Sequence, residues 1–259
     1  MLVAFVFVMG AIVGSFLNVC ILRIPKEESI VRPPSHCVSC QKSIQWYDNI
    51  PIISFLFLKG RCRECQKPIA WQYIIIETAT ALLFLLFYLC FGFSAVGFIY
   101  LTLTLLLLVE SVIDMRYQII PDSITLPGIL LGLCLSGLFP GLHGGSRFWE
   151  GFLQSLLGIV AGGGFLYLIG SLFEKILKKE AMGGGDVKLL AMIGAFLGWK
   201  GVLWTAFAAS FSGAFVGLYY KFKTGEERIP FGPHLALGAF LFIFIGNQFI
   251  HWYLETMAL

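Results

Sequence analysis

Charge is scarce in this chain. Only 13% of its 259 residues are Asp, Glu, Lys or Arg, about half of the roughly 25% that a soluble protein carries. With 58% apolar side chains and a mean hydropathy of +0.85, a soluble globular domain is excluded. Alternation of apolar and polar residues over about 10 positions is missing too, which excludes an outer-membrane β-barrel. The 29 glycines and 10 prolines fall without period inside apolar segments, which excludes a collagen-like or disordered chain and suits helices packed through small residues. No basic cluster precedes the first apolar run, and Arg23, Pro25 and Lys26 follow it, the reverse of a cleavable export signal, so this run is expected to remain as an anchor. The glycine-rich nucleotide fingerprint is absent. His36, His143, His234 and His251 form no ligand cluster in sequence and read as loop or interface residues.

What remains is a set of long apolar runs. They cover Leu2 to Ile24, Trp71 to Phe91, Ala95 to Ile113, Ser123 to Phe139, Trp149 to Phe173, Val187 to Trp199, Gly201 to Tyr220 and Leu235 to Leu254. A helix needs about 20 residues to cross a bilayer. The fold class expected is therefore an all-α polytopic membrane protein with about eight transmembrane helices, the fourth and sixth being short. Of 18 Lys and Arg, eight lie between Arg23 and Lys67, and eight more are Arg116, Lys175, Lys178, Lys179, Lys188, Lys221, Lys223 and Arg228. With eight crossings all of these fall on one side, and only Arg147 and Lys200 fall on the other. The positive-inside rule makes the rich side cytoplasmic and puts both termini outside. Omitting the sixth segment would send Lys221 to Arg228 outward. The net charge of +3 is thereby explained by topology and contact with anionic lipid headgroups, without a nucleic-acid partner.

One loop is long enough to fold in water, Pro25 to Ala70, and it holds four of the seven cysteines. Cys37-Val-Ser-Cys40 and Cys62-Arg-Glu-Cys65 are two knuckles, each able to present two thiolates to one ion, and together they suit structural Zn²⁺. The 21 residues between them slightly exceed the usual spacing of roughly 15 to 20. Two disulfides are the competing use of these cysteines, disfavoured where thiols stay reduced. Four thiolates on one Zn²⁺ leave a net charge of about −2, which Lys42, Arg61, Arg63 and Lys67 are near enough in sequence to offset. A closed site of this kind has no open position for substrate, so its expected role is to hold the loop together. Cys20, Cys90 and Cys134 lie in apolar runs and read as small hydrophobic residues.

Carboxylates in membrane segments are expensive and tend to be functional. Glu77, Glu110, Asp114, Asp122 and Asp186 lie within or beside apolar runs on the basic side. Asp122 follows Pro121 at the head of a span, where capping the helix N-terminus is the ordinary role. Asp114 ends its span, where a negative charge gains nothing from that helix's own dipole. Asp186 follows Gly183-Gly-Gly185, and two readings stay open for it. One is an N-cap that closes a loop. The other is a carboxylate aimed at an extended peptide lying along bare glycine backbone. Two carboxylates meeting at one membrane face would share a proton, giving a base toward water and an acid toward a carbonyl, the chemistry of aspartyl peptide hydrolysis.

At these residues the sequence resembles the type IV prepilin peptidases, the bifunctional leader peptidases and N-methyltransferases of pilus and type II secretion systems. The likeness is carried by Gly14-Ser-Phe-Leu-Asn-Val19 with Arg23 and Pro25, both cysteine knuckles, Tyr47-Asp-Asn-Ile-Pro51, Gly60-Arg-Cys62, Glu77, Asp114 with Ile120-Pro-Asp122, Gly183-Gly-Gly-Asp186 and Pro230-Phe-Gly-Pro233. It implies an eight-span membrane aspartyl protease of the Gly-x-Gly-Asp type in the bacterial inner membrane, with Asp114 and Asp186 as catalytic pair. Prepilins or pseudopilins are the implied substrates, cut on the cytoplasmic side after a Gly, and the new N-terminus is methylated from S-adenosylmethionine. The resemblance ties methylation to the cysteine loop and assigns Gly60 to the methyltransferase. The implied organisation is residues 1–24 as first span, 25–70 as loop domain and 71–259 as seven-span peptidase domain.

Two readings compete. A multi-span transporter with a zinc-stabilised loop also places carboxylates and glycines in spans, but it predicts repeats with matching broken helices, and Gly183 to Asp186 has no counterpart in the first half. A zinc-loop binding module on an inert anchor leaves Asp114 and Asp186 unexplained.

Overall fold

The computed structural model describes residues 1–177, 183–223 and 229–257. Lys178, Lys179 and Arg228, which entered the charge count, lie outside the described residues, as does the His251 side chain. The described chain is all-helical: α1 (Leu2–Arg23), α2 (Ile53–Phe57), α3 (Gln72–Phe91), α4 (Ala95–Tyr117), α5 (Asp122–Leu138), α6 (Phe148–Leu177), α7 (Gly184–Lys223), α8 (Gly232–Leu241) and α9 (Asn247–Met257), with a π turn at Phe242–Gly246. Among the described residues five helices, α1, α3, α4, α6 and α7, are long and apolar enough to cross a membrane, while α5 and α8 are shorter apolar helices. Phe207, Phe211 and Phe215, spaced one turn apart on α7, are 61–72% exposed, an aromatic stripe that only lipid would solvate well. This is a membrane protein.

The sixth and seventh apolar runs are one helical stretch. As a straight rod the 40 residues of α7 would measure about 60 Å, twice the hydrocarbon thickness. It is broken at Gly198, whose φ of 68° and ψ of −178° are not helical. Every residue from Leu189 to Gly198 is buried, so the short sixth run is apolar all round because protein encloses it. The break leaves carbonyls at the end of the first half without helical partners. Ser136 and Ser155 both donate their hydroxyls to the Ala195 carbonyl, at 2.9 and 2.7 Å. Since the Ser136 proton is used there, His143 Nε2 at 3.0 Å must be the donor to Ser136 Oγ. That fits a neutral ring, and burial holds His143 down to about 4.

The chain divides into two compact units, Met1–Leu101 and Thr102–Leu259. In the first, α1 packs on α3 through Gly10 and Gly14: a Cβ on Gly10 would stand 2.7 Å from the Ala81 Cα, and one on Gly14 2.8 Å from the Glu77 Cα. This is the small-x-x-x-small packing that brings membrane helices together. Buried Asn18 adds a polar tie by donating to the Tyr73 carbonyl at 3.0 Å. In the second unit α6 packs on the first half of α7 the same way, with a Cβ on Gly158 falling on the Gly194 carbonyl and one on Gly162 falling on that of Leu190.

Candidate functional site

In the first unit the cysteine loop is built twice over from one local design. Cys37 N–H donates to the Lys42 carbonyl and Cys62 N–H to that of Lys67, both at 2.9 Å. Gln41 and Gln66 follow the second cysteine of each knuckle with φ of 59° and 56°. Isolated bridges His36 to Ser43 and Arg61 to Pro68 close the two turns. The signal in the sequence is longer than the cysteine pairs alone: Cys37-Val-Ser-Cys-Gln-Lys-Ser-Ile44 and Cys62-Arg-Glu-Cys-Gln-Lys-Pro-Ile69 repeat Cys-x-x-Cys-Gln-Lys-x-Ile. The four sulfurs lie within 4.8 Å of one another, with Cys37 and Cys65 3.8 Å apart. A tetrahedron with metal–sulfur bonds of about 2.3 Å has edges of about 3.8 Å, so the cluster fits one metal ion. The Cys40 backbone N–H lowers the Cys37 thiol to about 6, while at Cys65 the Lys67 backbone N–H is outweighed by burial and the neighbouring cysteines, which push that thiol up to about 11, so without an ion the close sulfurs do not all favour the thiolate.

Of the cations expected to offset the cluster, two are committed elsewhere. Lys42 pairs with Glu64 at 2.6 Å and Arg63 makes a two-pronged bond to Asp48 at 2.6 and 2.8 Å, which holds the Asp48 carboxyl below its usual range. Glu77, on α3, is 7% exposed and accepts the Ile52 N–H at 2.7 Å. Ile52 is the centre of a tight turn, φ 62° and ψ −53°, closed by Ile53 N–H to the Pro51 carbonyl. That conformation is rare and strained for a β-branched residue. The buried carboxylate is its clamp, and it ties the loop to α3.

In the second unit Asp114 is 6% exposed and accepts the Gly232 N–H at 2.9 Å. Gly232 opens α8 and Pro233 follows, the order expected at a helix start. A Cβ at residue 232 would sit 2.8 Å from Asp114 Oδ2, so a side chain there would have to move the carboxylate or the start of α8. Asp114 thus has no use for its own helix dipole but sits at the positive end of another. Sequence reasoning assigned no role to Gly232, although Gly232-Pro233 ahead of an apolar run was the usable signal.

Asp186 lies in the first turn of α7, which begins at Gly184, so the N-cap reading is corrected. Asp114 and Asp186 are close enough for the charge of one to act on the other. The three glycines before Asp186 divide their work. A Cβ on Gly185 would stand 2.9 Å from Ile120 Cβ, so this glycine lets the start of α7 pack against the turn before α5, whereas around Gly184 there is open space. Asp122 is corrected as well. The N-cap of α5 is Pro121, no side chain caps it, and the Asp122 carboxylate bonds Lys188 at 2.7 and 2.8 Å instead. The start of α5 is thereby pinned to the start of α7. Glu110, one turn before Asp114, is fully buried, and neither of its oxygens has a hydrogen-bond partner among the described residues.

The end of α4 and the starts of α5, α7 and α8 are thus brought together around an acid pair, where helix N-termini favour negative charge. One Asp114 oxygen is fixed there by a backbone N–H.

Residues 8–91 match the Bacterial Peptidase A24 N-terminal domain and residues 101–218 the Type IV leader peptidase family. A prepilin leader peptidase/N-methyltransferase of Xanthomonas campestris pv. campestris is 35% identical over 97% of this chain and 94% of its own length. A protein of that name from Myxococcus xanthus is 40% identical over 86% of this chain and 64% of its length, and one from Pseudomonas aeruginosa 35% identical over 95% and 91%. No solved structure matches. On these matches the chain belongs to the bacterial type IV leader peptidase family.

Proposed function

We propose that this chain cleaves the leader peptide of type IV prepilins or pseudopilins at the membrane surface and N-methylates the residue so exposed. The observation that carries the peptidase reading is Asp114, buried and held by Gly232 N–H with Asp186 in electrostatic reach. In the proposed reaction the scissile segment lies extended beside Gly184. The ionised member of the pair takes a proton from water as the oxygen attacks the carbonyl, and the protonated member donates to the carbonyl oxygen. Collapse of the tetrahedral species breaks the C–N bond, with the proton passing to the leaving amine.

The finer reading has eight crossings, α7 contributing two on either side of Gly198, with the loop and the acid pair facing the cytoplasm of a bacterial inner membrane. Its organisation is residues 1–24, 25–70 and 71–259 as span, loop domain and peptidase domain. Cys37, Cys40, Cys62 and Cys65 would hold Zn²⁺ as a structural ion. S-adenosylmethionine would supply the methyl group, with Gly60 at its site.

The test is cleavage of a purified prepilin. Asp114→Asn and Asp186→Asn should each lower the rate at least about 100-fold, the scale of general acid–base catalysis, at unchanged membrane levels. Near-normal cleavage by either variant would refute the assignment.

A further inference from the structure

The short helix α2 turns its apolar side away from the rest of the first unit. Ile53, Leu56 and Phe57 fall at i, i+3 and i+4, one face of the helix, and are 52, 64 and 84% exposed. The opposite face is fixed, because Ser54 is buried and donates its hydroxyl to the Tyr47 carbonyl at 2.8 Å. Three large apolar side chains held outward together call for a covering other than water.

The position of α2 says what that covering is. Trp71 directly precedes α3, a membrane-spanning helix, and heads a face that continues through Ile75, Leu82, Leu86 and Leu89, all exposed. That face meets lipid, and an exposed Trp at its head marks the level of the headgroups. Phe55 of α2 packs on the Trp71 ring, with centroids 5.5 Å apart. The Ile52 turn just before α2 is tied to Glu77, more than one helical turn further into the span. α2 is therefore held against α3 where the apolar span begins. Lys59 and Arg61 follow α2, both exposed, and among the described residues neither has an ion-pair partner, whereas Lys42 and Arg63 are paired with carboxylates.

We propose that α2 is an in-plane membrane anchor of the cysteine loop: Ile53, Leu56 and Phe57 enter the boundary between headgroups and acyl chains, and Lys59 and Arg61 take the phosphates of anionic phospholipid. Apolar residues on one side with cations beside them suit an interfacial helix, and attraction to an anionic surface is worth roughly fivefold in occupancy for each cation. Five residues bury too little to hold a free peptide on a bilayer, but α2 is already fixed to a spanning helix, so its apolar face has only to orient the loop. This gives the strained Ile52 turn a purpose. Its clamp on Glu77 sets the height at which α2 meets the bilayer. Gly60 N–H donates to the Phe55 carbonyl at 2.8 Å and Arg61 N–H to that of Leu58 at 3.0 Å, which joins α2 rigidly to the second knuckle. The cysteine cluster is thereby kept at a set distance from the membrane surface.

The test uses the full chain in nanodiscs whose phospholipids carry a photoreactive diazirine near the glycerol end of one acyl chain, with either an anionic phosphatidylglycerol or a zwitterionic phosphatidylcholine headgroup. Adducts are mapped by mass spectrometry. The peptide holding Ile53 to Phe57 should be labelled as well as the one holding Ile75, and several-fold more with the anionic lipid. Lys59→Gln/Arg61→Gln should keep the label on α2 but lose the anionic preference, with metal content unchanged. This variant alters exposed side chains, and the unaltered protein carries the main result, so neither hinges on folding. Label at Ile75 without label on α2 would overturn the anchor and leave its apolar face to a protein partner or a second copy of the chain. Equal labelling by the two lipids, or an anionic preference that survives the double variant, would overturn the headgroup assignment.

Discussion

The cysteine loop and the carboxylates Asp114 and Asp186 are assembled by opposite means. In the loop the ligands come in two short segments, and each turn is closed by backbone bonds between residues five apart, Cys37 with Lys42 and Cys62 with Lys67. At the acid pair the two residues stand 72 positions apart in sequence, and they meet because helix ends converge on glycine contacts, Gly232 on Asp114 and Gly185 on Ile120. A local site tolerates change in the helices around it and would fail if a metal at its four sulfurs were lost. A non-local site fails when one backbone is pushed away from another.

The largest expected break is therefore Gly232→Ala. The new Cβ would meet Asp114 Oδ2 at 2.8 Å and must displace either the carboxylate or the start of α8. Misplacing a catalytic group by a fraction of an ångström to 1 Å costs up to about 100-fold in rate. Cleavage should fall by that order, read as kcat with little change in KM, while methylation of an already cut pilin continues. Equal loss of both activities would show that the two regions do not fail independently.

The converse break is Cys37→Ser. Structural zinc contributes roughly 10–16 kcal/mol to small zinc-dependent folds, so losing a ligand should release the ion and loosen the loop. Elemental analysis should find the metal gone, and methylation should fall to background while cleavage persists at more than about a tenth of the normal rate. A metal-free wild-type protein, freshly purified and fully reduced, would remove the basis for this prediction.

The same contrast decides what could be read from sequence. The knuckles, the helical class and the apolar runs were legible because each is written in a contiguous segment. The break in α7 was legible only as an awkward short run between Val187 and Trp199. Its cause, complete burial and a φ of 68° at Gly198, depends on α5 and α6. Asp114 and Asp186 stood out as carboxylates in a chain with few charges, yet the partner of Asp114 is a backbone N–H 118 residues away, and Gly232-Pro233 announces a helix start without saying which carboxylate it meets. Asp122 was misread for the same reason. A proline before an Asp suggests a cap, and only the fold brings Lys188 within 2.7 Å.

Glu110 sharpens the comparison within the second unit, because it has the burial of Asp114 without any donor among the described residues. An unpaired buried polar group costs about 1–3 kcal/mol. If the residue serves only as packing, Glu110→Leu should raise stability by about that amount, measured as a higher unfolding midpoint in detergent, with cleavage within about threefold of normal. A stabilised protein whose cleavage collapses would instead make Glu110 part of the machinery that Asp114 belongs to.

The smallest effect is expected at the ion pair between Asp122 and Lys188. Their side chains are 55% and 41% exposed, and pairs of that kind contribute about 0–1 kcal/mol because water screens them and two long side chains lose freedom. Asp122 is also charged, acidic and near the site, so Asp122→Asn is the control that separates position from chemistry. It should leave unfolding within about 1 kcal/mol of the parent and leave cleavage substantially intact, because the start of α7 is still held by Gly185 against Ile120. Raising the salt concentration should weaken the parent's ion pair and narrow any difference between the two proteins. A loss of cleavage as deep as that of Asp186→Asn, unchanged by salt, would move Asp122 from the frame of the site into its chemistry.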